Sequence, residues 1–223
     1  MAQAEGREPV AQAHPGRHIQ ERRRGHQHAS TERRLITASP KFPHSSVEKH
    51  GTRRRRSWRK LHLATDADTG RIVASVLTDP DADDGSQVGP LLERSDGPVA
   101  SFTGDGAFDR DDVYAEVAAR HPDADVIVPP RSSAVPSGTA EIDPTRRDRH
   151  LQAIAERGRM GWQRTSGYNW RALVEADIAR WKRVIGDRLH SGSNGRQVAE
   201  VAIAANALNR MLDLGRADYV RIA

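Results

Sequence analysis

The stretch ASFTGDGAFDRDDVYAEVAARH, residues 100–121, contains the pattern that decides the fold. It reads as a short apolar strand, then an acidic residue between two glycines, and then an amphipathic helix. Glycine on both sides of Asp105 lets a backbone or a phosphate come close. A carboxylate at the end of a strand is a common Mg²⁺ ligand in phosphoryl transfer, although the same residues also form turns without a catalytic role. Strands and helices alternate along the rest of the chain, so the sequence predicts an α/β layer architecture.

A second pattern lies in GYNWRALVEADIARWKRVIG, residues 167–186. Tyr168, Arg171, Glu175 and Lys182 have the spacing that places side chains on one face of a helix. A neighbouring stripe of apolar residues is predicted to face the core: Val174, Ile178, Trp181 and Ile185. Glu175 is then at the boundary between core and water, where a carboxylate can bind a metal and stay open to a large substrate. The alternative is a surface helix in which Arg171 and Glu175 form an ordinary pair worth about 0.3–0.5 kcal/mol.

Together these segments resemble bacterial insertion-sequence transposases of the DDE type, in the group with a Tyr-Arg-Glu-Lys signature (insertion-sequence families four and five). The resemblance extends from about His50 to the C-terminus, through HGTRRRRSWRKLHLATDADTG, SQVGPLLE, TGDGAFD, VIVPPR, RDRHLQAIAERGRMGWQ and VAIAANALNRML. It implies an RNase H-like fold, a mixed sheet flanked by helices, in which three carboxylates hold two divalent metal ions. It makes Asp105 the second carboxylate and Glu175 the third.

The resemblance also implies DNA transposition by phosphodiester cleavage and strand transfer. One metal ion would activate water or a DNA 3′-hydroxyl, while the other would stabilise the leaving oxygen. Arg171 and Lys182 would position phosphates, and Tyr168 would pack or hydrogen-bond beside the strand. The implied cofactor is Mg²⁺ or Mn²⁺. The implied partners are the terminal inverted repeats of the element and target DNA, and a homo-oligomer is a further expectation.

The first carboxylate that the resemblance implies is missing from its expected place before Trp58. The segment from Met1 to Lys49 has no aspartate, and its only apolar run is Leu-Ile-Thr-Ala at 35–38. Asp66 and Asp68 belong to a predicted turn between two strands. We therefore expect a missing or altered first strand and impaired activity, because loss of a bridging ligand removes most of the activity of a two-metal site. The alternative is a non-enzymatic DNA-binding remnant of a transposase.

The N-terminal segment, residues 1–46, is predicted to be a basic, disordered tail, and the folded transposase domain is predicted at 47–223. Too few apolar residues occur in the tail to offset the entropy of ordering it. One hypothesis is that a reading-frame change or a wrongly assigned start has replaced the natural first strand. Comparing the coding DNA in all three frames tests this hypothesis, because some upstream frame should then encode a strand that carries aspartate.

The composition is consistent with a nucleic-acid partner. The formal charge is +5 and the pI is about 10.0, which suits a polyanion, although a basic surface with no special role is the alternative. Arg53, Arg54, Arg55 and Arg56 are candidates for phosphate contacts, and Trp58 is either a stacking residue or a core residue. Cysteine is absent, which excludes thiolate chemistry and disulfides. Because the sequence has no apolar run of ~20 residues and no signal core, we expect a cytoplasmic protein that joins the nucleoid when it binds DNA.

Overall fold

A computed structural model of the chain describes residues 32–47 and 54–215, which form a mixed sheet of six strands flanked by helices. The strands are β1 (Arg33–Ala38), β2 (Lys41–Val47), β3 (Arg54–Asp66), β4 (Ile72–Thr78), β5 (Val99–Thr103) and β6 (Asp125–Ile127). The helices are α1 (Val88–Glu93), α2 (Asp111–Arg120), α3 (Arg146–Ser166), α4 (Ala172–Val184) and α5 (Asn194–Leu214). The predicted α/β class, with an RNase H-like mixed sheet, is confirmed. None of the helices in these ranges has the length and apolar composition that a membrane crossing requires.

β1 and β2 lie in line along one side of β3. Leu35 of β1 pairs with Asp66, and Val47 of β2 pairs with Arg54, in one antiparallel register that continues across the short connection between the two strands. β4 pairs with β3 on its other side, and β1 pairs in parallel with β5, which pairs in parallel with β6. β1 is therefore an interior strand of the sheet.

The folded part begins earlier than the expected boundary at Val47. β1 is bonded to β3 on one side and to β5 on the other, and Leu35 and Ile36 are almost completely buried. The prediction of a disordered tail is therefore wrong for residues 33–46, because a four-residue apolar run is enough when strands on both sides satisfy its backbone. The first strand is therefore not missing, and its alteration stays a prediction. The prediction for residues 1–31 lies outside the described residues.

Helices cover both faces of the sheet. Alternate residues of a strand point to opposite faces, so β1 contributes to both cores. Leu35 packs in the core that includes Val113 and Val117 of α2. Ile36 and Ala38 point the other way and pack with Val174 of α4. This second face is the one on which the candidate site lies.

The segment before α4 differs from the prediction. The spacing predicts one helix that carries Tyr168, Arg171, Glu175 and Lys182, but Tyr168–Arg171 form a separate 3₁₀ turn and α4 begins at Ala172. Gly167 separates this turn from α3, and its φ of 80° is in the left-handed region that favours glycine. Tyr168 therefore does not share a face of α4 with Glu175.

The outer edge of β4 is occupied by a side chain of α5. The Asn209 amide accepts a hydrogen bond from the Ile72 backbone N at 2.9 Å and donates one to the Ile72 carbonyl at 2.7 Å. Further along the same edge, Arg94 donates to the Ser75 carbonyl at 3.0 Å. Side chains thus replace a neighbouring strand at these points of β4.

Candidate active site

Asp105 follows β5 after a single glycine and continues the strand in an extended conformation, with φ −82° and ψ −178°. Its Oδ1 accepts a hydrogen bond from the Ala107 backbone N at 2.9 Å, which fixes the carboxylate at the start of a 3₁₀ turn. A Cβ at Gly104 would lie 2.7 Å from the Phe108 ring, so this position has no room for a side chain. The local sequence thus directs the second oxygen of Asp105 toward the segment that contains Arg171.

Arg171 joins the two carboxylates that the sequence singles out. Its guanidinium donates to Asp105 Oδ2 at 3.3 Å and to Glu175 Oε1 at 2.8 Å. The Asp105 and Glu175 side chains are 44% and 54% exposed, whereas the Arg171 side chain is 23% exposed. The structure therefore brings Asp105, Arg171 and Glu175 together in a cluster whose carboxylates are open to solvent.

Two aromatic contacts position the turn that carries Arg171. The Arg34 guanidinium of β1 lies 4.5 Å from the centroid of the Trp170 ring, in a cation–π contact. The Tyr168 ring packs on Trp162 of α3, with 5.3 Å between centroids, and partial burial raises the pKa of its hydroxyl. Tyr168 thus packs beside the site, and the Arg34–Trp170 contact is one that the sequence patterns did not predict.

The other predicted phosphate-binding residues lie farther from the cluster or outside the description. Lys182 is exposed in the last turn of α4, about 10 Å along the helix axis from Glu175. The backbone of Arg54, Arg55 and Arg56 belongs to the part of β3 that pairs with β2, but their side chains are not described. Arg53 lies outside the described residues. The role of these arginines stays a prediction.

The end of β1 lies next to Asp105. Ile36 pairs with Thr103, and two residues further along each parallel strand are Ala38 and Asp105. Ala38 is 5% exposed and packs with Val174, the residue before Glu175. A carboxylate at position 38 would lie on the sheet face that α4 covers, near the end of β5, but this chain has a methyl group there.

Asp66 and Asp68 do not belong to the cluster around Arg171. Asp66 accepts hydrogen bonds from the Asp68 backbone N at 3.0 Å and from the Thr69 hydroxyl at 2.9 Å, and Asp68 pairs with Arg34. Asp66 also pairs with Leu35, so it lies toward the end of β1 that is remote from Ala38. The prediction that both are turn residues is confirmed for Asp68, whereas Asp66 is the last residue of β3.

The donor set fits one divalent cation but not a bridged pair. Asp105 and Glu175 offer hard carboxylate oxygens of the kind that Mg²⁺ and Mn²⁺ prefer. Within residues 32–47 and 54–215, no group of three or more His, Cys, Asp or Glu side chains is placed to hold a metal ion. Two cations about 3.5–4 Å apart need more bridging charge than these two carboxylates provide.

Asp109, four residues after Asp105, lies in a buried ion pair that belongs to the fold and not to the site. Its side chain is fully buried and accepts hydrogen bonds from the Arg147 guanidinium at 2.7 and 3.2 Å and from the Arg131 backbone N at 2.9 Å. Burial alone would raise the pKa of this carboxyl, but Arg147 and the Arg131 amide lower it. The two aspartates of the GDGAFD motif therefore differ: Asp105 is open to solvent and Asp109 is a buried ionic link.

His62 is a second buried polar group, on a strand where it alternates with Leu61 and Leu63. It is fully buried on β3, where Nδ1 lies 2.9 Å from the Ser39 hydroxyl and Nε2 lies 2.8 Å from the Thr78 hydroxyl. Burial lowers its pKa to about 4, against a smaller opposing effect of Asp84. His62 thus connects the residue after β1 to the end of β4.

Comparison with protein families agrees with the fold. Residues 21–212 match the family model described as transposase DDE domain. The match includes β1, Asp105, Arg171 and Glu175, and it covers most of the chain. Membership implies DNA as a partner, and domains of this kind generally use divalent metal ions. The chain belongs to the transposase DDE domain family.

Proposed function

We propose that this chain is an insertion-sequence transposase of the group with the Tyr-Arg-Glu-Lys signature, in which Asp105 and Glu175 are the remaining catalytic metal ligands. The reaction would be phosphodiester cleavage and strand transfer on the terminal inverted repeats of the element, with Mg²⁺ or Mn²⁺. The observation that carries this proposal is the convergence of both carboxylates on one guanidinium at the end of β5.

Each residue of the cluster has a distinct part in this proposal. A bound divalent cation supplies activation of the attacking hydroxyl and stabilisation of the leaving oxygen. Asp105 presents Oδ2 while the Ala107 amide holds Oδ1, and Glu175 presents its carboxylate from the first turn of α4. Arg171, when it is released from the carboxylates, is placed to contact a phosphate with two parallel hydrogen bonds. Lys182 and the arginines at 53–56 would bind DNA phosphates farther from the reacting bond.

We further propose that cleavage is impaired, because Ala38 stands beside Asp105 where a third carboxylate would be needed. An alanine cannot bridge two cations, so a pair of ions loses much of its ligand charge. The same observation supports the second candidate function, a DNA-binding remnant without nuclease activity. Under both candidates the basic runs of the chain bind DNA, and only cleavage separates the two.

The decisive experiment is to incubate the purified protein with labelled inverted-repeat DNA and Mg²⁺ or Mn²⁺. Glu175→Gln is the test variant. Glu116→Gln is the matched control, because Glu116 also pairs with an arginine four positions away on a helix. For an impaired transposase we expect DNA binding by all three proteins, weak cleavage by the wild type and the control, and none by Glu175→Gln.

Each other outcome has a clear meaning. Binding without cleavage by the wild type supports the remnant. Cleavage that survives Glu175→Gln contradicts the role of Glu175. Failure to bind DNA at 50 mM salt, where phosphate contacts are strong, contradicts both candidate functions. A protein that makes six or more such contacts typically loses DNA affinity by roughly 10³-fold or more between 50 and 200 mM salt.

A further inference from the structure

Arg171 occupies the position between the two carboxylates that a metal ion would need. We infer that the site takes a single divalent cation and that this cation binds in place of the Arg171 guanidinium. The inference rests on the proposed function for the identity of the ligands, Asp105 and Glu175. It adds the number of cations and the internal group with which the cation competes.

The competition follows from the oxygen atoms that are engaged. Asp105 Oδ1 is held by the Ala107 amide, so Oδ2 is the oxygen that faces the cluster, and Arg171 contacts it at 3.3 Å. Arg171 contacts Glu175 Oε1 at 2.8 Å with its other terminal nitrogen. A cation that bridges the two carboxylates would use these same oxygens, and two positive groups cannot share them without strong repulsion.

The guanidinium is not held in this position by a complete set of hydrogen bonds. Arg171 Nε is buried and has no hydrogen-bond partner among the described residues. A buried donor without a partner costs about 1–3 kcal/mol, so release of the side chain recovers part of the interaction that it loses. The carboxylates themselves are about half exposed, which gives a hydrated cation access to them.

The limit of one cation follows from the end of β1. The parallel register of β1 and β5 ends with the pair Ile36 and Thr103, and Ala38, two residues after Ile36, packs with Val174, so the end of β1 offers a methyl group and no carboxylate. A second cation would have no carboxylate on that side. The site is therefore partly neutralised by its own arginine and has ligands for one ion.

The test is a calorimetric titration of the purified full-length protein with Mn²⁺, without DNA. The wild type is compared with Arg171→Gln, Glu175→Gln and Arg120→Gln. Arg120 is the matched control because its guanidinium also bridges two carboxylates, at 2.8 Å from Glu93 and 2.7 Å from Glu116. Circular dichroism of each variant confirms that it is folded.

We expect one weakly bound Mn²⁺ in the wild type. Affinity should be about tenfold higher in Arg171→Gln, equivalent to about 1.4 kcal/mol. It should be unchanged in Arg120→Gln and lost in Glu175→Gln. In addition, Ala38→Asp should increase the stoichiometry from one ion to two.

Several results would overturn the inference. Two ions in the wild type would contradict the single-cation site. If Arg171→Gln bound Mn²⁺ no more tightly than the wild type, only the competition between the cation and Arg171 would be contradicted, and the proposed function would stand. If Arg120→Gln gained as much affinity for Mn²⁺ as Arg171→Gln, the gain would be a general effect of the lost positive charge and not of competition at the site. Absence of binding in both the wild type and folded Arg171→Gln would contradict the metal chemistry of the proposed function as well.

Discussion

β1 and β5 are neighbouring parallel strands that end side by side, one at Ala38 and the other just before Asp105. Asp105 is half exposed and engages both a backbone amide and a guanidinium, whereas Ala38 is buried against Val174. Packing requires only a small residue at the end of β1, and the proposed chemistry requires a carboxylate there. The comparison shows that the packing at these two strand ends does not depend on a carboxylate at position 38, so the fold and the proposed chemistry place separate requirements on them.

Each strand end also has a buried polar group that serves the fold. Asp109 follows the β5 end and binds Arg147, and His62 holds the segment after β1 to Thr78. If different residues serve the site and the fold at both strand ends, substitution of the buried polar groups should strongly lower the free energy of unfolding. Substitution of the solvent-exposed carboxylates should not.

The largest effect is expected for Asp109→Ala, which leaves the Arg147 charge without its buried partner. Loss of one member of a buried ion pair typically costs 3–5 kcal/mol, so we expect a decrease of about that size in the free energy of unfolding, measured by urea denaturation. Asp105→Ala is the matched control in the same motif, with an expected change of less than about 1 kcal/mol because its pair with Arg171 is partly exposed. Similar losses for the two variants would contradict the distinction between them.

The next effect concerns pH and His62. In the unfolded chain this histidine binds a proton below its ordinary pKa of 6.5, whereas in the folded chain it stays neutral down to about pH 4. The unfolded state therefore binds more protons between pH 6.5 and pH 4, and the folded state loses stability as the pH falls through this range, by at most about 3 kcal/mol. The measurement is the free energy of unfolding at pH 7.5 and pH 4.5, for the wild type and His62→Gln. A pH dependence that is the same in both proteins would exclude His62 as its source.

A smaller effect is expected when a carboxylate is introduced at position 38. Ala38→Asp places a nearly buried charge beside Asp105, so without metal it should destabilise the fold by roughly 1–3 kcal/mol. Added Mn²⁺ should reverse this loss, because a ligand that binds only the folded state stabilises it in proportion to log concentration. Thermal denaturation with and without Mn²⁺ measures both parts. Ala38→Asn has nearly the same shape without the charge, and an equal response to Mn²⁺ in that variant would contradict the prediction.

The smallest effect is expected for Glu175→Gln, which removes one charge of an exposed pair. Such pairs on a helix contribute about 0.3–0.5 kcal/mol, so the free energy of unfolding should change by no more than that. Urea denaturation without metal is the measurement. A loss above about 1 kcal/mol would mean that Glu175 stabilises the fold as well as serving the site.

The sequence predicted those parts of the molecule whose information is local. The strand, the glycines and the helix around Asp105 are contiguous, and α2 forms after Asp105 as the pattern predicts. β1 was missed because its apolar run is only four residues long, and its stability comes from neighbours that are distant in sequence. The contact of Arg171 with Asp105 also depends on long-range packing, through the Gly167 turn and the Arg34–Trp170 contact.

Asn209 has a consequence for association between chains. Its amide bonds both backbone groups of Ile72, so one helix residue acts like a single residue of an additional strand. An uncovered strand edge is a template for intermolecular pairing and fibre growth. A truncated chain that ends before Asn209 would leave this edge of β4 open, so truncation of the gene would lead to aggregation of the product rather than to a smaller folded domain.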